Sequence, residues 1–286
     1  MISIAVVTHN REELLRLCVE NVLARTSPLT TQIIIWDNAS TDGTCDYLKT
    51  LEDPRICVVQ HPENIAMNAR ARALRLATSG YLIELDDDIV GAPPRWDETL
   101  LNAYIRLPEI GRLGAYLEYD PNDPASRYLR YMREERGAYP LSVVNGIRLF
   151  EGTPGGACTM TSQELYESIG GYREHKRFPY WRPEIPYEKK MRKLGLRSAY
   201  LADLEVRHVG GHRPGKAPKP KVDYFFHETR RRLRKDRIKK ILLALPFAAR
   251  LNDRFHWFEP PAPPYDLASY NHDPREEPSR TPTTTT

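Results

Sequence analysis

The chain has 286 residues, of which 41% are hydrophobic and 28% are charged. This composition excludes a fibrous protein and a polyelectrolyte that is disordered throughout, and it predicts a globular protein with a sizeable core. The 42 basic and 38 acidic residues give a net charge of +4, which is too small to indicate a binding partner by itself.

Cysteine usage and hydropathy indicate the cellular compartment. The four cysteines, at positions 18, 45, 57 and 158, form no C-x-x-C pair, so a zinc site or a disulfide scaffold is not expected. The first residues, MISIAVV, do not have the pattern of a signal peptide. The longest apolar run, Ile241–Ala249, is too short to span a bilayer. We therefore expect a cytoplasmic protein that contacts the inner face of the membrane at most peripherally.

Strands and helices alternate through the first 90 residues. The predicted strands are 2–7, 32–36, 56–60 and 81–85, and the predicted helices are 14–23, 44–51 and 66–77. Such alternation is typical of right-handed crossovers around a mainly parallel sheet with helices on both faces. The predicted fold class is therefore α/β.

Polar residues follow three of these strands directly. They are Thr8-His9, Asp37-Asn38 and Asp86-Asp87-Asp88. Ligands of open α/β sheets bind beyond the carboxyl ends of the strands, where the strand order changes. We therefore expect these side chains to converge on one site.

The second half of the chain is less regular. Its predicted helices are 96–107, 162–169 and 183–194, its predicted strands are 113–119, 158–161 and 199–207, and its turn at 121–124 has no assigned chemistry. Gly170-Gly171 should end the second of these helices in a left-handed conformation.

The C-terminal region differs in composition from the rest. Residues 224–245 have a helical period, and residues 230–240 contain eight Lys or Arg and one Asp. We predict a catalytic domain at 1–215, with a nucleotide-binding half at 1–90 and an acceptor half at 91–215. A basic amphipathic helical extension would follow at 216–258, and a flexible, proline-rich tail at 259–286.

The three consecutive carboxylates at 86–88 indicate a cation. No Lys or Arg in the same segment neutralises them, and hard oxygen ligands suit Mg²⁺ or Mn²⁺ held together with a diphosphate. An acidic surface turn is the alternative interpretation of the same residues.

Several motifs occur in an order that resembles family 2 glycosyltransferases of the GT-A fold. They are Val6–Arg11, Asp37–Thr44, Asn64 with Ala69–Arg72, Leu85–Asp88, Gly170–Tyr172 and His208. The resemblance covers roughly residues 1–210 and is greatest to rhamnosyltransferase-like and cell-surface polysaccharide transferases. It implies a GT-A catalytic domain and a nucleotide-sugar donor.

The resemblance also implies roles for individual residues. The residues that would bind the donor are Thr8, His9, Asp37, Asn64, Arg70, Asp86 and Asp87, and those that would bind the metal are Asp88 and His208. Three of them have structural alternatives. Asp37 could form an Asx-turn before the next helix, Arg70 could be a solvated helix residue, and His9 could cover the sheet edge.

The chain departs from the family pattern in two places. Where the family often has Glu-Asp before a helix, this chain has Glu184 between two prolines, and we assign Glu184 as the general base. Its alternatives are a glutamate that only stabilises the helix start, or a base role for Glu188 one turn later. Ala71 and Ala73 replace Asn and Gly of the family, so donor contacts there could differ.

Four further residues are candidates for shaping the acceptor site. They are Gly155, Gly156, Tyr180 and Trp181. Glycine allows close approach of a ligand, and aromatic rings pack on sugar C–H groups.

The sequence thus predicts a metal-dependent glycosyltransferase. It would move a hexosyl or deoxyhexosyl group from a UDP- or dTDP-sugar to a hydroxyl acceptor, inverting the anomeric centre with the help of a carboxylate base. The basic helix at 224–245 could contact an anionic membrane, which would suit a lipid-linked glycan acceptor, or could simply pack on the domain. Two alternatives are a nucleic-acid-binding protein that uses residues 230–240, which the acidic strand ends disfavour, and a nucleotidyltransferase of related fold.

Overall fold

A computed structural model describes residues 1–121, 123–135, 137–175 and 182–210, together with Ile238. The chain divides into two compact units, Met1–Gly211 and His212–Thr286. The helices and strands given below belong to the first unit. The predicted basic helix at 224–245 and the tail at 259–286 are in the second unit and, apart from Ile238, lie outside the described residues.

The first unit is built from ten strands and seven helices over its described residues. The strands are β1 (Ile2–Thr8), β2 (Thr30–Asp37), β3 (Ile56–Gln60), β4 (Tyr81–Asp86), β5 (Ile89–Gly91), β6 (Ile110–Leu117), β7 (Leu141–Val144), β8 (Ile147–Glu151), β9 (Cys158–Ser162) and β10 (Arg197–His208). The helices are α1 (Glu12–Arg25), α2 (Thr44–Lys49), α3 (Asn68–Leu74), α4 (Trp96–Ile105), α5 (Pro124–Glu134), α6 (Gln163–Ser168) and α7 (Glu184–Lys193).

The strands form one sheet in the order β3-β2-β1-β4-β9-β6-β10-β8-β7, and β5 pairs with β10. The strands β1, β2, β3 and β4 are parallel, as the alternation of strands and helices predicts. Beyond β4 the sheet is mixed, because β9 runs antiparallel to both β4 and β6. The hairpin of β7 and β8 and the helix α5 were not predicted, although α5 has a clear amphipathic period and Asp123 at its N-cap.

Alternate residues of the central strands supply two hydrophobic layers. Ile33 and Ile35 face the core layer that includes α1 and α4, whereas Ile34 faces the layer that includes α3. Burying a side chain of this size contributes about 1.5–3 kcal/mol. Ala71 and Ala73 are completely buried in the second layer, so their side chains pack in the core.

Two local features bear on the predictions. Gly170 and Gly171 adopt positive φ angles of 77° and 53° at the end of α6, which confirms the predicted left-handed helix end. Among the described residues, no helix combines the length and the hydropathy that crossing a bilayer requires.

Candidate active site

The acidic segment and the last strand meet at the carboxyl edge of the sheet. Asp86 ends β4, and the chain turns through Asp87 and Asp88 into β5, which pairs antiparallel with the end of β10. The backbone N–H of Val209 donates to the carbonyl oxygen of Asp88 at 3.0 Å, which fixes His208 beside this turn. One ligand atom from each of Asp86, Asp88 and His208 lies within 4.8 Å of the others.

The geometry at Asp88 fits a divalent cation. Its Oδ1 atom is buried and has no hydrogen-bond partner among the described residues. The Nε2 atom of His208 lies 3.1 Å away, so this oxygen is ion-paired when the ring is charged and lacks a donor when Nε2 is unprotonated. A buried oxygen without a donor needs a physical explanation. Two carboxylates and an imidazole can hold Mn²⁺, and carboxylates with a diphosphate can hold Mg²⁺.

Cations from other elements neutralise the three carboxylates. Arg11, just before α1, donates from one nitrogen to Asp87 Oδ1 at 2.7 Å and to Asp88 Oδ2 at 2.9 Å. Arg70 of α3 donates to Asp86. Arg11 belongs to the Val6–Arg11 motif, but its contact with the acidic segment was not predicted, because nothing local relates positions 76 residues apart.

Burial and ion pairing shift the pKa values of this cluster in different directions. Burial raises the pKa of Asp86 to about 6, although Arg70 opposes the shift. Burial alone would also raise the pKa of Asp88, but His208 and Arg11 hold it below its usual value. Asp88 is therefore a ligand candidate that is charged at neutral pH, whereas Asp86 titrates at a higher pH than an ordinary carboxyl group.

Another residue that sequence analysis did not identify contacts the imidazole of His208. Asp123, in the turn before α5, lies with its Oδ2 atom 3.0 Å from Nδ1 of His208. The sequence-based analysis assigned no chemistry to residues 121–124. A signal was present, because an Asp followed by Pro is typical of a helix N-terminus, but nothing in it indicated a contact with a residue 85 positions later.

Asp37 lies on the same sheet edge, at the end of β2 and beside Thr8 of β1. Its Oδ1 atom accepts from the N–H of Ser40 at 3.0 Å, and its Oδ2 atom accepts from the thiol of Cys45 at 3.0 Å. The hydrogen bond to Asp37 raises the pKa of Cys45 to about 11, so this thiol stays protonated. The bond from Ser40, three residues on, holds the loop after β2, but it is not the Asx-turn of the alternative interpretation, and α2 begins only at Thr44. A ribose hydroxyl would have to replace or join the thiol.

Asn64 holds the neighbouring loop together. Its Oδ1 atom accepts from the side chain of Asn38 and from the N–H of Ala66, both at 2.9 Å. Ala39 and Ala66, in the loops after β2 and β3, have positive φ angles of 63° and 51°. A non-glycine residue in this conformation costs roughly 1–2 kcal/mol, and such strain is often found at binding sites.

The aromatic residues near this edge form a stack. Trp36 stacks on His61 with ring centroids 5.3 Å apart. His9 is half-buried, and its Nε2 atom lies 3.4 Å from the side-chain nitrogen of Asn10. The Nδ1 atom of His9 is buried without a hydrogen-bond partner in the described part of the chain. One ring nitrogen of His9 can therefore still form a hydrogen bond at this edge of the sheet.

A chain of alternating charges leads from Asp86 into the core. Arg70 also donates to Glu84 at 2.6 Å, and the other oxygen of Glu84 lies 3.6 Å from Arg112. Arg112 donates to Glu188 at 2.8 Å. Arg70 is therefore not a solvated helix residue. Buried ions are costly unless they are paired. This series of ion pairs therefore fixes the positions of the side chains that form it.

The chain of charges also bears on the glycines and on the choice of base. A side chain at Gly156 would overlap Arg70 and Glu84, so Gly156 allows the strand approach that this ion pair needs. A Cβ atom at Gly155 would have no non-neighbouring atom within 4 Å. Tyr180 and Trp181 lie outside the described residues.

The alternative base Glu188 accepts hydrogen bonds from Arg112 and, at 2.6 Å, from the hydroxyl of Ser198.

Glu184 is the first residue of α7 and is buried. Its Oε1 atom accepts from Nε of Arg182 at 2.6 Å. Burial alone would raise the pKa of Glu184, but Arg182 holds it below its usual value, so the carboxylate is charged at neutral pH. Glu184 also helps to raise the pKa of the buried Arg70 by electrostatic attraction. A charged carboxylate can accept a proton, and the pairing with Arg182 makes Glu184 a weaker base than an ordinary glutamate until that pairing is relieved.

Curated relatives of this chain act in sugar transfer and polysaccharide synthesis. The O-antigen biosynthesis protein RfbC of Myxococcus xanthus is 26% identical over 246 residues, which cover 79% of this chain and 18% of RfbC. The Escherichia coli enzyme WfaP, a UDP-Glc:alpha-D-GlcNAc-diphosphoundecaprenol beta-1,3-glucosyltransferase, is 34% identical over 89 residues, which cover 31% of this chain and 35% of WfaP. The aligned regions thus span at most 35% of these two relatives.

Solved structures share the fold at low identity. The mannosyltransferase PcManGT of Pyrobaculum calidifontis, in complex with GDP-Man and Mn²⁺, has a TM-score of 0.55 and 22% identity, over 91% of this chain and 76% of that one. GalNAc-T7 with UDP, GalNAc and Mn²⁺ has a TM-score of 0.56 and 16% identity, over 81% of this chain and 50% of that one. These similarities confirm the predicted GT-A-type α/β fold.

Residues 3–170 match the family described as glycosyl transferase family 2. They include the ends of β1, β2 and β4 with Thr8, Asp37 and Asp86, whereas His208 of β10 lies outside the match. The match covers more than half of the chain, so the protein belongs to glycosyl transferase family 2, as its motifs predict.

Proposed function

We propose that this protein transfers a hexosyl or deoxyhexosyl group from a nucleoside diphosphate sugar to a hydroxyl acceptor, and that it needs Mn²⁺ or Mg²⁺. One observation carries the proposal. Asp86, Asp88 and His208 bring ligand atoms within 4.8 Å of one another at the carboxyl edge of the parallel strands, and a buried oxygen of Asp88 lacks a hydrogen-bond partner among the described residues.

The donor would bind along the edge formed by β1, β2 and β4. Asp37 accepts hydrogen bonds from the ribose or base, and Thr8 and His9 border the same part of the site. Asn64 keeps the loop before α3 in position. Arg70 supports the donor through Asp86, to which it is bonded.

Asp88 and His208 hold the metal ion, which when bound neutralises the charge that develops on the leaving diphosphate. Asp86 and Asp87 orient the sugar and ribose from the neighbouring positions of the turn. Arg11 already contacts Asp87 and Asp88 and lies where it can add a second positive charge near the diphosphate.

Glu184 acts as the general base. It takes the proton from the acceptor hydroxyl as the oxygen attacks the anomeric carbon. The bond between this carbon and the diphosphate oxygen breaks, and the nucleoside diphosphate leaves with the electron pair. Direct displacement inverts the anomeric centre. A positioned base of this kind typically contributes about 10²–10⁴ in rate.

The relatives support a choice of donor and acceptor. WfaP uses a UDP-sugar and a lipid-linked acceptor, as its name states. By analogy, the donor here is a UDP- or dTDP-sugar, and the acceptor is a lipid-linked glycan. A cytoplasmic location with the segment 224–245 against the inner face of the membrane belongs to the same proposal, as does a role for Gly155, Gly156, Tyr180 and Trp181 in the acceptor site.

A thermal-shift panel tests the proposal. The protein is incubated with UDP, dTDP, GDP and their sugar conjugates, with and without Mn²⁺. A ligand at 100 times its Kd stabilises the folded state by about 2.7 kcal/mol. We expect UDP or dTDP to raise the melting temperature only with Mn²⁺, and Asp88→Asn to abolish this rise.

Asp46→Asn is the control, because Asp46 is an exposed carboxylate of α2 paired only locally with Lys49. It should behave like the wild type. Stabilisation that is independent of metal and unchanged in Asp88→Asn would contradict the proposed site. Release of pyrophosphate in place of nucleoside diphosphate during turnover would favour a nucleotidyltransferase.

A further inference from the structure

The imidazole of His208 is contacted at both ring nitrogens by carboxylates. Its Nδ1 atom lies 3.0 Å from Asp123 Oδ2, and its Nε2 atom lies 3.1 Å from Asp88 Oδ1. All three side chains are buried, with 1% of Asp123 and 7% of His208 exposed. The ring of His208 therefore lies between the candidate metal ligand Asp88 and Asp123, which comes from a separate part of the chain.

The carboxylate of Asp123 is fixed by the backbone of α5. Its Oδ1 atom accepts from the N–H of Ala125, and its Oδ2 atom accepts from the N–H of Ser126, both at 2.9 Å. Asp123 thus caps the N-terminus of α5 while it faces His208. Ser126 in turn bonds through its hydroxyl to the backbone of Asp120 at 3.0 Å, which ties down the turn before the helix. Because of these bonds, Asp123 has little rotational freedom.

The chain passes closely over the contact between Asp123 and His208. A Cβ atom at Gly210 would overlap Asp123 Oδ1 and would lie 2.7 Å from Cε1 of His208. Position 210 therefore has no room for a side chain while the pair is in place. The close approach of the backbone at 210 is independent evidence that Asp123 and His208 are specifically packed against each other.

We propose that Asp123 is a positioning residue for the metal site. It accepts the Nδ1–H of His208 and so keeps the lone pair of Nε2 directed at the space beside Asp88. Histidine ligands of metals commonly donate their second N–H to a carboxylate, which fixes the tautomer and the ring orientation. This inference rests on the proposed metal-dependent function.

Replacement of Asp123 by serine separates the two roles of this residue. Serine caps helices about as well as aspartate, but its side chain is too short to reach His208. Loss of such a partner typically weakens metal binding by about 10–100-fold. We expect this loss in Asp123→Ser, measured as Mn²⁺ binding by electron paramagnetic resonance in the presence of UDP and without turnover.

Two further variants make the test sharper. Asp123→Asn keeps the size and the cap but removes the charge, so its Mn²⁺ affinity should lie between those of the serine variant and the wild type. Gly210→Ala should also weaken Mn²⁺ binding, because its methyl group displaces the pair without altering either side chain. The control is Ser162→Ala, which removes the N-cap of α6 and should lower the melting temperature while leaving Mn²⁺ affinity unchanged.

The outcomes are distinguishable. Equal Mn²⁺ affinity in wild type, Asp123→Ser and Asp123→Asn would mean that Asp123 only caps α5, and it would overturn the inference. No Mn²⁺ binding by the wild type with any nucleotide would overturn the proposed function, and the inference with it. Weaker Mn²⁺ binding by the Asp123 variants, measured at a temperature at which they remain folded, would support both.

Discussion

Replacing Glu84 with glutamine tests whether the buried chain of charges holds the donor side of the site together. Glu84 accepts from Arg70 at 2.6 Å and from the hydroxyl of Tyr172 at 2.8 Å, and it lies 3.6 Å from Arg112. Glutamine has nearly the same shape and can still accept from Tyr172. The variant therefore removes a charge and leaves the packing almost unchanged.

The size of the effect follows from burial. The side chains of Arg70 and Glu84 are 17% and 7% exposed, and that of Arg112 is 2% exposed. Removing one partner from a buried ion pair costs about 3–5 kcal/mol when the remaining charge is left unpaired. Arg70 keeps Asp86 and Arg112 keeps Glu188, so the lower end of this range applies. For a unit of this size, each kcal/mol lowers the melting temperature by about 2–4 °C. We therefore expect a fall of roughly 6–12 °C.

The same helix provides a matched control. Arg72, two residues after Arg70 in α3, pairs with Glu174 at 3.0 Å, but these side chains are 39% and 29% exposed. An exposed pair contributes about 0–1 kcal/mol, so Glu174→Gln should change stability little. Urea unfolding monitored by tryptophan fluorescence measures both variants. Equal losses of stability, or no loss in Glu84→Gln, would refute the argument from burial.

The remaining predictions concern the base and the pH dependence of metal binding. Glu184→Gln should leave Mn²⁺–nucleotide affinity unchanged and lower turnover by about 10²–10⁴, whereas near-normal turnover would assign the base elsewhere. Burial alone would lower the pKa of His208, but Asp123 and Asp88 raise it to about 11. Since the folded-state pKa lies above the unfolded value, stabilisation by the charged ring is complete below about pH 6.5 and is lost as the pH rises toward 11. Metal must displace this proton, so Mn²⁺ affinity should rise up to about tenfold per unit between pH 7 and 9, and a flat profile would contradict the assignment of His208.

The first half of the fold could be predicted from the sequence because its signals are local. Apolar runs such as 32–36 are bounded by polar residues, and a parallel arrangement then brings the strand-end residues Asp37 and Asp86 to one edge. The second half contains antiparallel strands such as β9, whose place between β4 and β6 depends on pairing over long distances in the sequence. No periodicity within a short window carries that information.

The same limit applies within the site. Asp86, Asp87 and Asp88 are adjacent in sequence and were identified together. Arg11 and Asp123 reach the cluster from 77 and 85 residues away, through a loop and a helix cap whose own patterns are ordinary. Their roles depend on side-chain contacts between separate elements, and a single sequence does not encode these contacts in any local pattern.

The ion pairs of the cluster explain why metal and nucleotide should bind together. Without a ligand, Arg11 and the charged ring of His208 already offset the charge of Asp88. A divalent ion that binds without nucleotide must compete with Arg11 and His208 for Asp88. It also weakens the ion pair between Asp88 and Arg11, whose side chain is half-buried. A diphosphate removes this penalty, because its oxygens can coordinate the ion and also accept from Arg11. The expected dependence of nucleotide binding on Mn²⁺ therefore follows from the charge balance at Asp88.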